Sequence, residues 1–105
     1  MYARVTLLEI DTLRATVDEA LEKFRAETLP RLRAQPGYCG VWVLTTEEGK
    51  ALLMSLWDSA QHAAAEGDHQ FYAGELGRFA TLFRSAPGRE EYAVSLVEEP
   101  AHRAV

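Results

Sequence analysis

Two hydrophobic rhythms run along the chain. "YARVTLLEI" (2–10) has the period-two, β-branched character of a strand, with Ala3, Val5 and Leu7 on one face and Tyr2, Arg4, Thr6 and Leu8 on the other. Thr16 and Glu19 then have the spacing of a capping box. Val17, Ala20, Leu21, Phe24, Thr28 and Leu32 follow at helical intervals. Pro30 removes a backbone donor and predicts a kink or restart within that helix, and Pro36-Gly37 predicts the turn that ends it.

The period-two rhythm returns in "YCGVWVLTT" (38–46) and "ALLMSLW" (51–57), two predicted strands joined by "EEGK", where Gly49 is free to take positive φ. Asp58 or Ser59 caps the next helix. The helical pattern breaks at Gly67-Asp68, which predicts two helices, roughly 59–66 and 69–83. "YAVSLVEE" (92–99) predicts the last strand, and 100–105 is a tail beyond a single domain of residues 1–99. The order β-α-β-β-α-β is the ferredoxin-like α+β arrangement: a four-stranded antiparallel sheet with its helices on one face.

The strands are apolar on both sides. Cys39, Val41 and Val43 oppose Trp42 and Leu44; Leu52, Met54 and Leu56 oppose Leu53, Ser55 and Trp57; Tyr92, Val94 and Leu96 oppose Ala93, Ser95 and Val97. A sheet with one wet face alternates cleanly between apolar and polar. Helices can cover one face only, and leaving the other in water costs roughly 1.5–3 kcal/mol per large side chain. The pattern therefore predicts a homodimer in which two sheet faces meet.

Charge narrows the partners. The net charge is −5 and Lys23 and Lys50 are the only lysines, so the clustered positive charge of a nucleic-acid surface is missing. No apolar run approaches the roughly 20 residues of a membrane span, and "MYARVTLLEI" lacks the pattern of a secretory signal. The expectation is a cytoplasmic protein. Cys39 is the only cysteine, which excludes an intrachain disulfide and a Cys-based zinc site; it reads as a small buried hydrophobe. His62 and His69 would need a third ligand to hold a metal, so none is expected.

"MYARV", the "PGY" before the second strand, "SLWDS" ending the third and "GREEYAVSLVEE" near the close resemble the dimeric α+β barrel superfamily, and more narrowly proteins of the antibiotic-biosynthesis-monooxygenase type. The resemblance implies a dimer whose sheets form a barrel, with a pocket between each sheet and its helices or inside the barrel. It also implies a range of activities. These include oxygenation of aromatic polyketides without a cofactor, haem degradation, and muconolactone-isomerase-like or chlorite-dismutase-like functions. The haem-degrading pattern is not retained: its asparagine falls at or near Arg4, its tryptophan near Glu66 and its histidine near Leu76. His69 would have to serve from a shifted position.

Each candidate residue admits two readings. Should Ala3, Val5 and Leu7 face the helices, Arg4 points into the barrel, either ion-paired with a carboxylate or clamping an anionic ligand. Trp42 and Trp57 are core or interface mass, or ring-stacking walls. His62, Ala65, His69, Tyr72, Leu76, Phe79 and Phe83 are spaced as one helical stripe, though the Gly67-Asp68 break takes His62 out of phase. Its larger members read as core. His69 is the candidate proton acceptor and Tyr72 its hydrogen-bonding companion. The leading expectation is a monooxygenase without a cofactor, acting on a small aromatic or quinone-like molecule. The alternative is a non-catalytic dimer that binds a small metabolite or serves assembly.

Overall fold

The computed structural model describes residues 1–64, 74, 75, 77–85 and 87–100. Four strands form one antiparallel sheet: β1 (Tyr2–Glu9), β2 (Tyr38–Thr45), β3 (Lys50–Trp57) and β4 (Gly88–Ala93), in the order β2-β3-β1-β4. This is the ferredoxin-like architecture that the element order predicts. Among the described residues no helix is long and apolar enough to cross a membrane.

The helical layer begins as its caps dictate. Glu19 N–H donates to Thr16 Oγ1 at 3.0 Å and Thr16 N–H donates to a Glu19 carboxylate oxygen at 2.9 Å, so the capping box opens α1 (Val17–Lys23). Pro30 restarts the helix through a π-helical segment, Phe24–Thr28, in which Leu29 N–H reaches back to the Phe24 carbonyl. Widening the ladder there absorbs the donor that proline lacks, and α2 (Leu29–Arg33) follows. A third helix, α3 (Ala60–Ala64), follows β3; residues 74–75 and 77–79 are helical, and a 3-10 turn, Ala80–Leu82, leads to an isolated bridge between Phe83 and Ile10. The stripe through Phe83 is therefore not helical to its end.

The β2–β3 connection is a tight hairpin. Gly49 takes φ 103°, and a Cβ there would collide with the Ile10 carbonyl, whose own N–H donates to Gly49 O at 2.7 Å.

Two expectations need correction. The last strand is "GREEYA", not "YAVSLVEE". β1 pairs with residues 88–93, and the ladder closes where Val94 N–H meets Met1 O at 2.9 Å, so the apolar alternation beyond it lies outside the strand. Its charged residues suit an edge strand. Cys39 is exposed rather than buried, because it is the extra residue of a bulge: Tyr38 pairs with Trp57 and Gly40 with Leu56.

Register decides the faces. Arg4, Thr6 and Leu8 sit opposite Ser55, Leu53 and Ala51, and this row lies under the helices, where Leu32, Trp57 and Ala63 form the packed centre with Tyr38 edge-on to Trp57 at 5.9 Å. The other face carries Val5 and Leu7 of β1, Leu52, Met54 and Leu56 of β3, and Trp42 and Leu44 of β2. The Ala3, Val5 and Leu7 set thus lies on the face away from the helices, graded from buried Ala3 to exposed Leu7. Arg4 points toward the helices, not into a barrel.

Candidate functional site

Between the sheet and the helices lies a cavity of about 90 Å³. Its floor is Thr6, Leu8, Leu53 and Ser55, its roof Ala20, Phe24, Thr28 and Leu32, and its far wall Glu75, Phe79 and Phe83. The walls are mostly apolar for a simple reason: sheet residues at period two meet helix residues at periods three and four, and each contributes its buried stripe. The π-helical segment matters here, because Phe24 and Thr28 at its two ends both line the void. Phe79 and Phe83 stack at 6.2 Å with their planes 13° apart.

Among the described residues one charged side chain stands in this lining. Glu75 is 7% exposed. Thr28 Oγ1 donates to one carboxylate oxygen at 2.8 Å, and Arg31 Nη1 donates to the other at 3.1 Å. Arg78 Nε lies 3.8 Å away, which adds charge without a hydrogen bond. The ion pairs continue outward through Glu27, which meets Arg78 and Lys23, each at 3.6 Å.

Of the residues singled out from the sequence, the described ones, Arg4, Trp42, Trp57 and His62, are not in this lining. Arg4 is fully buried beside it, under α3: Nε donates to the Ala63 carbonyl at 2.6 Å and Nη2 lies 3.5 Å from Glu91 on the neighbouring strand. Trp57 is core, its Nε1–H donating to Ser55 Oγ at 2.9 Å. Trp42 stands on the opposite face, 63% exposed. His62 Nδ1 lies 2.6 Å from Asp58 Oδ1, and the pair packs on Gly37, where no side chain would fit. His62 holds the Asp58 carboxyl below its usual range, by hydrogen bonding first. His69 and Tyr72 lie outside the described residues.

Glu75 and Thr28 went unread in the sequence. Thr28 sits in the helical stripe but reads as packing, and an acid among the aromatics of 69–83 reads as a solvated position. The available signal is that Glu75 falls four residues before Phe79, on the same side of a helix as the core stripe.

No family model matches the chain, and no curated protein is similar to it. Solved structures do match it over nearly its full length. A protein of unknown function from Nitrosomonas europaea is 23% identical with a TM-score of 0.71, the match covering 96% of this chain and 95% of that one. A monooxygenase of Streptomyces coelicolor in complex with nanaomycin D is 14% identical with a TM-score of 0.71, covering 95% and 92%. SnoaB of Streptomyces nogalater, a cofactor-independent oxygenase, is 12% identical with a TM-score of 0.69, covering 91% and 94%. The chain has the fold of the antibiotic-biosynthesis monooxygenases. At these identities the likeness defines the fold and leaves the reaction to be argued from the site. Among the described residues no group of three or more His, Cys, Asp or Glu could hold a metal ion.

Proposed function

We propose that this protein is a homodimeric oxygenase of the antibiotic-biosynthesis-monooxygenase type, which acts without a cofactor on a small aromatic or quinone-like molecule. The observation that carries the reading is the void under the helices: apolar, walled by Phe24, Phe79 and Phe83, and set with hydrogen-bonding side chains at Thr28, Ser55 and Glu75. A flat ring is what such a wall accepts. Two neighbours of the same fold, one with nanaomycin D bound, support it.

The chemistry is balanced by the substrate. A phenol loses its proton and becomes electron-rich enough to attack dioxygen at a ring carbon. One oxygen atom stays as a new carbonyl and the other leaves as water. The ring supplies every electron, so no reductant is needed. In this proposal His69 and Tyr72 move the proton, and Arg4, fixed behind Ser55, contributes its positive charge to the side on which the anion forms. Trp57 and His62 support the walls from behind, and Trp42 serves the dimer, not the ring.

Dimerisation through the open face is part of the same proposal, supported by Trp42, Leu44 and Leu7 at 63%, 51% and 47% exposure. A cytoplasmic location is supported by the exposed thiol of Cys39, which suits a reducing compartment.

A second reading is favoured by one observation. A void of about 90 Å³ is small beside the roughly 300–1,000 Å³ of most ligand pockets, which suits a binding or assembly dimer as well as an enzyme. Oxygen uptake with a panel that runs from single-ring hydroquinones and catechols to dihydroxynaphthalenes and anthrones separates the two. The oxygenase reading expects turnover that falls at least tenfold in His69→Ala and that Arg4→Lys, which keeps the charge, lowers less than Arg4→Ala. Absence of uptake across the panel by folded protein defeats it.

A further inference from the structure

Glu75 is the charged residue that the proposed reaction leaves unused. A carboxylate in an apolar wall is costly unless it is paired, and replacing a buried ion pair by apolar groups is often neutral or stabilising. Its presence beside a void asks what the void admits. Ionised carboxylate oxygens offer about four lone-pair positions between them. Thr28 and Arg31 occupy two by hydrogen bonds, so acceptor capacity remains on a group that lines the cavity. Both of these partners donate. Thr28 has spent its one hydroxyl hydrogen and Arg31 is not among the lining residues, so neither offers a ligand's oxygen anion a donor at that wall, and the carboxylate repels one.

We propose that Glu75 is the specificity-determining acceptor of the cavity, selecting a single-ring ligand with a free O–H or N–H, a neutral phenol or arylamine, and rejecting ring ethers and aromatic carboxylates. The proposal rests on reading the cavity as the ligand site. The ring lies against Phe24 and Phe79, and the donor hydrogen points at Glu75. Size sets the limit to one ring: a void of about 90 Å³ is below the roughly 150 Å³ that holds benzene in an engineered apolar cavity, so even a phenol must be met by a small adjustment of the walls. Thr28, donating to Glu75 from the end of the π-helical segment, fixes the carboxylate's direction; Arg31 and Arg78 approach it as ion-pair partners.

The experiment measures binding, not turnover, so it is independent of the oxygenase reading. Ligand-observed NMR titrations of the full chain under nitrogen compare phenol, aniline, anisole and benzoate at neutral pH. Phenol and aniline are expected to bind about tenfold or more tighter than anisole, with benzoate undetectable, the order of effect of one buried hydrogen bond to a charged group. Glu75→Gln is expected to erase the phenol-over-anisole preference and to admit benzoate. Leu53→Phe, which fills the void and leaves the carboxylate in place, is expected to abolish all binding. Equal affinities for phenol and anisole in the wild type, or an unchanged preference in a folded Glu75→Gln, overturn the assignment. If Glu75→Gln does not fold, the wild-type ligand series alone decides. Selective binding without oxygen uptake leaves this inference standing and sinks the oxygenase; uptake without selectivity does the reverse.

Discussion

Trp42 and Trp57 stand on opposite faces of one sheet, and the surroundings of each are the reverse of what a lone sheet would want. Trp57, 2% exposed, is under the helices, in a layer that also buries Arg4, Thr6 and Ser55. Trp42, 63% exposed, belongs to a face made of Val5, Leu7, Leu44, Leu52, Met54 and Leu56. The covered side is the more polar one. Burial of a hydroxyl or guanidinium is tolerated only with partners, which Ala63, Glu91 and Trp57 supply. On the uncovered side the polar groups are confined to the edge strand, where Glu90 and Tyr92 pair with each other, and the apolar rows of β1, β2 and β3 beside them suit a second apolar surface. Arg4, Thr6 and Ser55 thus lie inside the protomer with Trp57, while Trp42, Leu44 and Leu7 are exposed on the other face.

Two substitutions break the comparison most directly. Trp57→Ala is expected to lower protomer stability by about 3–5 kcal/mol, from lost burial plus a cavity, and to be read as a shifted denaturant midpoint. In a domain with about 5–15 kcal/mol in hand that is a large fraction. Trp42→Asp is expected to leave a protomer that still folds. It should raise the dissociation constant of the proposed dimer by roughly a hundredfold to ten-thousandfold, since each of two copies loses roughly 1.5–3 kcal/mol of burial. Sedimentation equilibrium across micromolar concentrations reads it. A Trp42→Asp chain that unfolds, or a wild type that sediments as a single subunit, removes the distinction between the faces.

The fold was legible because independent local signals agreed. The capping box at Thr16, the restart at Pro30, the turn at Gly37 and the hairpin at Gly49 each have one backbone solution, and together they permit one element order. Which face the helices cover was not legible. Alternation sorts Arg4 from Val5 but carries no sign, and only the helices packed over Arg4 and Thr6 supply it. The last strand was misplaced because "VSLVEE" alternates well while "GREEYA" does not; pairing partners on β1, invisible in a local pattern, settled the matter. For the site, Phe79 and Phe83 were visible as a stripe, and Thr28 as part of another. Glu75 was not, because its burial depends on Thr28 and Arg31, 47 and 44 residues away.

Smaller effects sharpen the picture on the helical layer. Thr16→Ala removes the acceptor of the Glu19 N–H and is expected to cost about 1 kcal/mol, with Thr16→Ser restoring most of it. Thermal unfolding measures both. An undiminished melting temperature in Thr16→Ala would show that packing of Ala20 and Phe24 alone carries the helix start.

The smallest effect is a pH dependence, and its sign follows from which state binds more protons. Thr16 N–H donates to the Glu19 carboxylate and holds its pKa below the usual 4.5; His62 does the same to Asp58, below 3.8. In the unfolded chain both carboxyls return to ordinary values, so between the two sets of pKa values the unfolded state binds more protons. Their contribution is therefore present above about pH 4.5 and lost as pH falls through the lower, folded values. Both groups are at the surface, so the effect is screened and should fall below that of Thr16→Ala. Melting temperatures recorded from about pH 5 down to pH 3 are expected to decline less steeply in Glu19→Gln, and less steeply again, at the acid end, in Asp58→Asn. Added salt should weaken the Asp58 part first, because a contact at an open helix start is shielded more readily than a hydrogen bond closed inside a capping box. Identical slopes in wild type and both variants would place the acid-sensitive carboxylates elsewhere.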